Sequence, residues 1–198
     1  KVLDKLATDY KIKYFKWDMN RAVSEPGWPD AGPVEERKLW VDYARNLYAI
    51  IDMLRNRHPG LEIESCSGGG GRIDLGILQR VDEVWPSDNT EAFDRLRIQE
   101  GFTMAYAPKI MSAWVTDVPN MNGRSVSLPF RFLVAMQGAL GIGANLNKWS
   151  DQDAATAAKM VALYKRIRAT VQTGDLYRLL SPRAGDVTAN QYVSSDGK

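Results

Sequence analysis

Asp18 and Asp88 each close an apolar, strand-like run: Tyr14-Phe15-Lys16-Trp17-Asp18 in one case, Val84-Trp85-Pro86-Ser87-Asp88 in the other. Between them lies Ser65-Cys66-Ser67-Gly68-Gly69-Gly70-Gly71-Arg72, a stretch with almost no side chains. Two carboxyl groups facing each other across a pocket walled by backbone suit the cleavage of a glycosidic bond. Lys16 stands two residues before Asp18, so the strand period puts both on one side. An ammonium there favours the ionised carboxylate and can donate to a substrate hydroxyl. Each aspartate also has a plainer reading. Asp18 could cap the turn that follows it, and Ser87-Asp88-Asn89-Thr90 ahead of Glu91 is a good N-cap sequence. Only one residue is needed as a cap, and Asn89 or Thr90 can serve, which frees Asp88.

Other chemistries fit less well. The four glycines lack the spacing of a dinucleotide fingerprint, and no Gly-Lys-Ser/Thr follows them. Their use is instead to let backbone approach a ligand where a Cβ would intrude. Cys66 as a nucleophile would need a basic partner, and the one histidine, His58, sits in Arg57-His58-Pro59-Gly60, which reads as a solvated helix end. One Cys and one His make a zinc site improbable, and no cofactor or metal is expected. The single Cys also excludes an internal disulfide and points to a reducing, cytoplasmic setting. Apolar residues make up 44% and charged residues 25%, with a formal charge of +2 and no Lys/Arg run longer than two. That balance is that of a globular chain and argues against nucleic-acid binding. No apolar stretch is long enough to span a membrane. The six Trp and eight Tyr serve as core filler or as platforms for sugars.

The elements that must carry these residues follow from periodicity and punctuation. Residues 2–9 read as the end of a helix and Ile12 to Met19 as a strand, followed by a loop with Pro26-Gly27-Trp28-Pro29 and Gly32-Pro33. Leu39, Tyr43, Leu47, Ile50, Ile51 and Leu54 recur at helical spacing between Glu35 and Arg57, and Pro59-Gly60 stops that helix. Leu61–Ser65 is a strand, Asp74–Arg80 a short helix, and Val81–Trp85 a strand. Glu91–Glu100 is a helix stopped by Gly101, and Ile110–Val115 is a strand. Ser127–Gln137 is a helix presenting Phe130, Leu133 and Met136 on one side, and Ala139–Leu146 is a strand. Ser150 and Asp153 open the last helix with a capping box, and Ala154, Ala158, Val161, Tyr164, Ile167 and Val171 form its buried face. Strands thus alternate with helices five times, the pattern of parallel strands with crossover helices. Every polar motif falls after a strand and before a helix, the end at which barrels and open sheets build their sites.

These segments resemble glycoside hydrolase family 36, the α-galactosidase family of bacterial type. The resemblance rests on Lys16-Trp17-Asp18-Met19-Asn20-Arg21, Ser65-Cys66-Ser67-Gly68-Gly69-Gly70 and Ser87-Asp88-Asn89-Thr90. It continues through Arg95–Gly101, Met111–Pro119 and Gly141–Leu146, and covers roughly residues 10 to 180. It implies a retaining exo-α-galactosidase with Asp18 as nucleophile and Asp88 as general acid/base. Lys16, Trp17, Asn20, Cys66, Gly69 and Arg72 form the implied substrate-binding set, Arg72 as a support of the pocket. The implied fold is an α/β, (β/α)8 TIM-type barrel, present here as strands 4 to 8 with their helices. Residues 1–172 are then a partial catalytic barrel and 173–198 an exit toward a C-terminal β-domain. The chain is expected to be a fragment, weak or inactive alone, of an enzyme that forms homo-oligomers. No metal is implied.

The mechanism implied is a double displacement. Asp18 attacks the anomeric carbon while Asp88 protonates the leaving oxygen, and the galactosyl-Asp18 ester is then hydrolysed with Asp88 as base. Retention sets the two carboxyls about 5–5.5 Å apart. Two like charges so close disfavour each other, and Lys16 selects Asp18 as the ionised one. Three alternatives remain open. One is a related α-glycosidase or transglycosidase acting on N-acetylgalactosamine or raffinose-type substrates. Another is a fragment that binds sugar without cleaving it. The last is an open-sheet nucleotide binder, which would lack any phosphate fingerprint.

Overall fold

The computed structural model describes residues 1–20, 27 and 29–197. Arg21 of the first motif and the loop signals Pro26 and Trp28 lie outside the described residues. The chain is α/β. Helix α1 (Val2–Asp9) leads into β1 (Tyr14–Trp17), and α2 (Pro33–Arg57), β2 (Glu62–Ser65), α3 (Leu75–Leu78) and β3 (Glu83–Val84) follow. Then come α4 (Ala92–Thr103), β4 (Ser112–Thr116), α5 (Leu128–Ala135), β5 (Ala139–Gly143) and α6 (Asp151–Thr173). The chain closes with β6 (Asp175–Leu180) and β7 (Ala189–Val193). The expected fivefold alternation of strand and helix is observed. The chain divides into two compact units, Lys1–Val84 and Trp85–Lys198.

In the first unit β1, β2 and β3 form a parallel sheet in that order. Helix α2 starts at Pro33 in the first turn, carries Glu35 and Glu36 there, and ends on Arg55 and Arg57, so its charges complement its dipole. Its buried residues Leu47, Ile51 and Leu54 meet Leu61, Ile63 and Ile77, with Phe15 and Trp17 packed alongside. Alternation along β1 then turns Tyr14, Lys16 and Asp18 to the other face. His58 caps α2 through its N–H to Leu54 O. It is not merely solvated, because its ring lies 3.0 Å from Asp4.

In the second unit β4 pairs with β5 in parallel, Ser112↔Ala139 through Thr116↔Gly143. Ala113 and Val115 face a core of Leu128, Phe132, Ala135 and Met136 from α5 with Ala157 and Tyr164 from α6. Of the expected face of α5, Met136 just past its end is buried, whereas Leu133 is exposed and Phe132 is in the core instead. On α6 the reciprocal Ser150–Asp153 capping box is present. The buried position near its start is Ala157, with Ala154 and Ala158 in solvent.

Gly101 does not stop α4, which runs on to Thr103. An interior glycine costs about 1 kcal/mol, which the burial of Phe102 against Tyr106 in the added turn offsets. Strand β5 ends at Gly143, short of Leu146, where a single 3-10 turn begins. The antiparallel β6–β7 hairpin has no counterpart in the sequence expectations. It is held to the rest of its unit by Tyr192, whose hydroxyl donates to Gln137 O. No helix among the described residues is long and apolar enough to cross a membrane.

Candidate active site

In the first unit, Asp18 follows β1 and its side chain is exposed. Asn20 Nδ2 donates to Asp18 Oδ2 at 3.3 Å, while Asn20 Oδ1 accepts the Gly68 N–H at 2.7 Å. Asn20 therefore ties the carboxylate to the glycine loop. The loop closes on itself, Ser67 N–H donating to Gly69 O and Gly71 N–H to Ser67 O. Gly68 and Gly69 have φ of +54° and +80°, a region that side-chain-bearing residues avoid. Ser67 Oγ donates to Met19 O at 2.6 Å, and Cys66 N–H to Trp17 O. The end of β1 and the loop after β2 are thus stitched together. Arg72 supports the loop through Nη2 to Cys66 O, 3.2 Å.

Cys66 is buried beside these groups. Burial pushes its thiol up, the Gly69 N–H opposes that, the adjacent Asp18 carboxylate raises it further, and Lys16 pulls it down. A thiol held above its ordinary value is not a nucleophile at neutral pH. Its surroundings bring Lys16, Asp18, Cys66 and Gly69 together. Trp17 is not among them, because it packs against the unit's core on the opposite face of β1. Met19, Ser67 and Arg72 border a cleft of about 310 Å³ whose other wall includes Trp40, Tyr43 and Tyr48. That cleft touches neither Asp18 nor Cys66, so the carboxylate and its partners, not the cavity, define the candidate site.

Below Asp18 lies a polar row that the sequence expectations omit. The register sets Lys16 beside Glu64, and Glu64 beside Glu83. Lys16 Nζ is 3.0 Å from Glu64 Oε1. The Tyr14 hydroxyl meets Glu64 Oε2 and lies 2.7 Å from Glu83 Oε1. A phenol has one proton, so two ionised acceptors would share it. Glu64 and Glu83 therefore compete for the one phenol proton, and only one of them holds it at a time. Burial pushes the Glu83 carboxyl up, the Tyr14 hydrogen bond resists, the charges of Glu64 and Glu62 push up, and Lys16 pulls down.

A carboxyl raised in the folded state stabilises the fold while it stays protonated, and that contribution is lost as pH rises through its folded value. Glu83 is therefore expected to make the protein less stable as pH climbs above the ordinary glutamate range. Glu83→Gln keeps the neutral shape and should flatten that decline. Urea midpoints of both proteins at about pH 5 and about pH 8 measure it, and parallel declines would refute the assignment.

In the second unit, Asp88 is exposed and accepts from Trp85 Nε1 at 3.0 Å. Trp85 is buried and tilts against Trp114, ring centres 4.6 Å apart. Trp114 in turn lies on two glycines of β5. A Cβ at Gly141 or Gly143 would come within 2.6 Å or 2.5 Å of its ring. Asp88 is not the helix cap, as expected, but the cap is neither Asn89 nor Thr90. Glu91 caps α4, accepting from the N–H groups of Phe93 and Asp94, and Asn89 accepts from Glu91 N–H.

Arg95 fixes the loop that carries Asp88. Nearly without exposure, it donates to Asn89 O at 2.8 Å, Ser87 O at 3.1 Å and Ser112 O at 3.4 Å, and lies over the Trp85 ring. Burial pulls its guanidinium down to about 10, with the Asp88 charge opposing, so it stays cationic at neutral pH. Arg95→Met strands three inward carbonyls and should cost about 2–4 kcal/mol, read as a lower urea midpoint at unchanged slope. A shift below about 0.5 kcal/mol would make it an ordinary surface change.

Apolar periodicity cannot reveal Arg95, since α4 buries a largely polar stripe that includes Arg95, Gln99 and Glu100. Glu64 has a faint signal in its position two residues before Cys66, on the same strand face.

Comparison with known proteins adds a family. The melibiase family model matches residues 1–174, ending where α6 gives way to the hairpin. α-Galactosidase AgaA of Geobacillus stearothermophilus is 42% identical over 186 residues, which is 93% of this chain and 26% of that enzyme. A solved structure of a variant of that enzyme with raffinose superposes with a TM-score of 0.95 at 39% identity, over 98% of this chain and 27% of that one. A second variant, with stachyose, gives 0.94 at 39% identity over the same shares. The chain spans about a quarter of the length of the curated relatives it matches.

Proposed function

The chain belongs to the melibiase family, glycoside hydrolase family 36, and from that premise we propose that it carries the two catalytic carboxyls of a retaining α-galactosidase. One observation carries the reading. The sugar-bound relatives each have an aspartate replaced, by Asn with raffinose and by Ala with stachyose, and those two positions stand as far apart in their sequence as Asp18 and Asp88 do here. In this reading Asp18 attacks the anomeric carbon of a terminal α-galactosyl group while Asp88 gives its proton to the departing oxygen. A galactosyl-Asp18 ester forms. Asp88 then takes a proton from water, which cleaves the ester and releases galactose with its α configuration kept.

The remaining residues have supporting parts. Lys16 and the Gly69 backbone bind hydroxyls, Cys66 fills the wall behind Asp18, and Asn20 and Arg72 hold the glycine loop. The same reading takes β1 to β5 as strands four to eight of a (β/α)8 barrel, and the parallel pairing within each unit supports it. It also includes assembly of the whole enzyme into a homo-oligomer.

The test is turnover of nitrophenyl α-galactoside by the purified protein, with its solution mass recorded and the first-formed sugar observed by proton NMR. α-Galactose should appear first and then mutarotate. β-Galactose first would make the enzyme inverting. Turnover of the N-acetylgalactosaminide alone would move the substrate class, and galactose binding without turnover would leave a sugar-binding role.

A further inference from the structure

Glu64 is a charged side chain with no exposed surface, in the middle of β2. Burying a carboxylate is costly unless it is paired with good geometry. Its pairing is set by strand register rather than by a flexible loop, since Lys16 is its direct neighbour across β1 and β2. The Lys16 Nζ to Glu64 Oε1 distance is 3.0 Å, with the lysine side chain 30% exposed and the glutamate side chain at 0%. The lysine thus has one flank anchored in the sheet and the other toward the open end of the strands. The contact is an ion pair by distance, and Glu64 Oε1 makes no hydrogen bond of good geometry. The second oxygen of Glu64 is occupied by Tyr14, which it shares with Glu83.

We propose that Glu64 is the positioning residue for Lys16, holding its ammonium at the level where it meets a sugar hydroxyl and keeping it from collapsing onto the Asp18 carboxylate. Lys16 and Asp18 are two residues apart on one face of the same chain segment. Without an anchor, the closest attractive anion on that segment would be the proposed nucleophile. A Lys16–Asp18 ion pair would blunt the attacking carboxylate and consume a donor meant for substrate. Glu64 acts through Lys16 and touches no substrate itself. The catalytic part of this inference rests on the α-galactosidase reading above, while the anchoring of Lys16 does not.

Two measurements separate these levels. The first is the rate at which limiting acetic anhydride modifies each lysine of the intact protein, read by peptide mass spectrometry. Glu64→Gln keeps the side-chain shape and removes the charge. It should speed modification of Lys16 about tenfold, the loss of one close, part-buried charge partner, with the other lysines unchanged. Glu64→Asp, one methylene short, should give a smaller rise. An unchanged Lys16 rate overturns the proposal. Should Glu64→Gln not fold, Glu64→Asp decides by the same criterion.

The second measurement is galactoside KM and kcat for the native protein, Glu64→Gln, Lys16→Met and the double variant. Glu64→Gln should raise KM about tenfold on the same ion-pair arithmetic, and should add nothing once Lys16 is Met. Additive losses would show that Glu64 acts by another route and overturn the proposal. Because the chain spans about a quarter of its relatives' length, a native protein that neither binds nor cleaves galactosides leaves the labelling result to judge the anchor alone.

Discussion

Asp18→Gly should lower galactoside turnover by about 10⁴-fold or more, the scale on which removal of a covalent nucleophile acts. Neither of its described neighbours can replace it. The Cys66 thiol is held above its ordinary value by burial, and the Asn20 amide that touches Asp18 is not nucleophilic. The substitution leaves a space of carboxylate size beside Lys16, and a small anion can fill it. Added azide should therefore restore turnover of nitrophenyl galactoside and form galactosyl azide. Attack from the side Asp18 occupied, opposite the leaving group, makes that azide the β anomer. Proton NMR of the product reads the configuration. Turnover within tenfold of the native protein, or an α-azide, would remove Asp18 from the nucleophile's place.

Asp88→Ala should produce a loss that depends on the leaving group. General acid catalysis contributes about 10²–10⁴-fold, and only where the departing oxygen needs a proton. Raffinose-type substrates lose galactose from a poorly acidic sugar hydroxyl and should slow by about 10³-fold. A nitrophenolate leaves unaided, so formation of the galactosyl enzyme from nitrophenyl galactoside should fall far less, and its later hydrolysis becomes limiting. A burst of nitrophenol followed by a slow phase is the expected trace. Equal losses on both substrates would mean that Asp88 shapes the loop and transfers no proton. That loop is otherwise well fixed by Arg95 on the Ser87 and Asn89 carbonyls, so Asp88→Ala should leave its backbone in place.

The contrast between the two units shows which parts of a site a sequence displays. Asp18, Cys66 and the glycines announce themselves because strand ends and Gly-rich loops have local signatures. Asn20 is visible as a motif residue, yet its task of bridging Asp18 to Gly68 depends on two loops meeting. Trp17 is equally visible, and its packing into the core follows from alternation once Lys16 and Asp18 are assigned to the other face. Gly141 and Gly143 read as small residues in a strand; that Trp114 lies flat on them is a matter of parallel register. Gly101 looks like a stop signal and is not one, because the burial of Phe102 outweighs the local cost of an interior glycine.

The sequence alone determined the α/β alternation, the strand-end positions of both aspartates and the family they point to. Those properties reside in short-range periodicity, capping and contiguous motifs, and need no knowledge of distant neighbours. Only the tertiary structure decided the partners: Glu64 under Lys16, Tyr14 shared with Glu83, and Arg95 behind Asp88. The first two pairings span tens of residues and are set by how one strand slides past the next, while Arg95 is placed by the packing of α4 against the start of β4. A shift of one residue would turn every side chain of a strand to its opposite face.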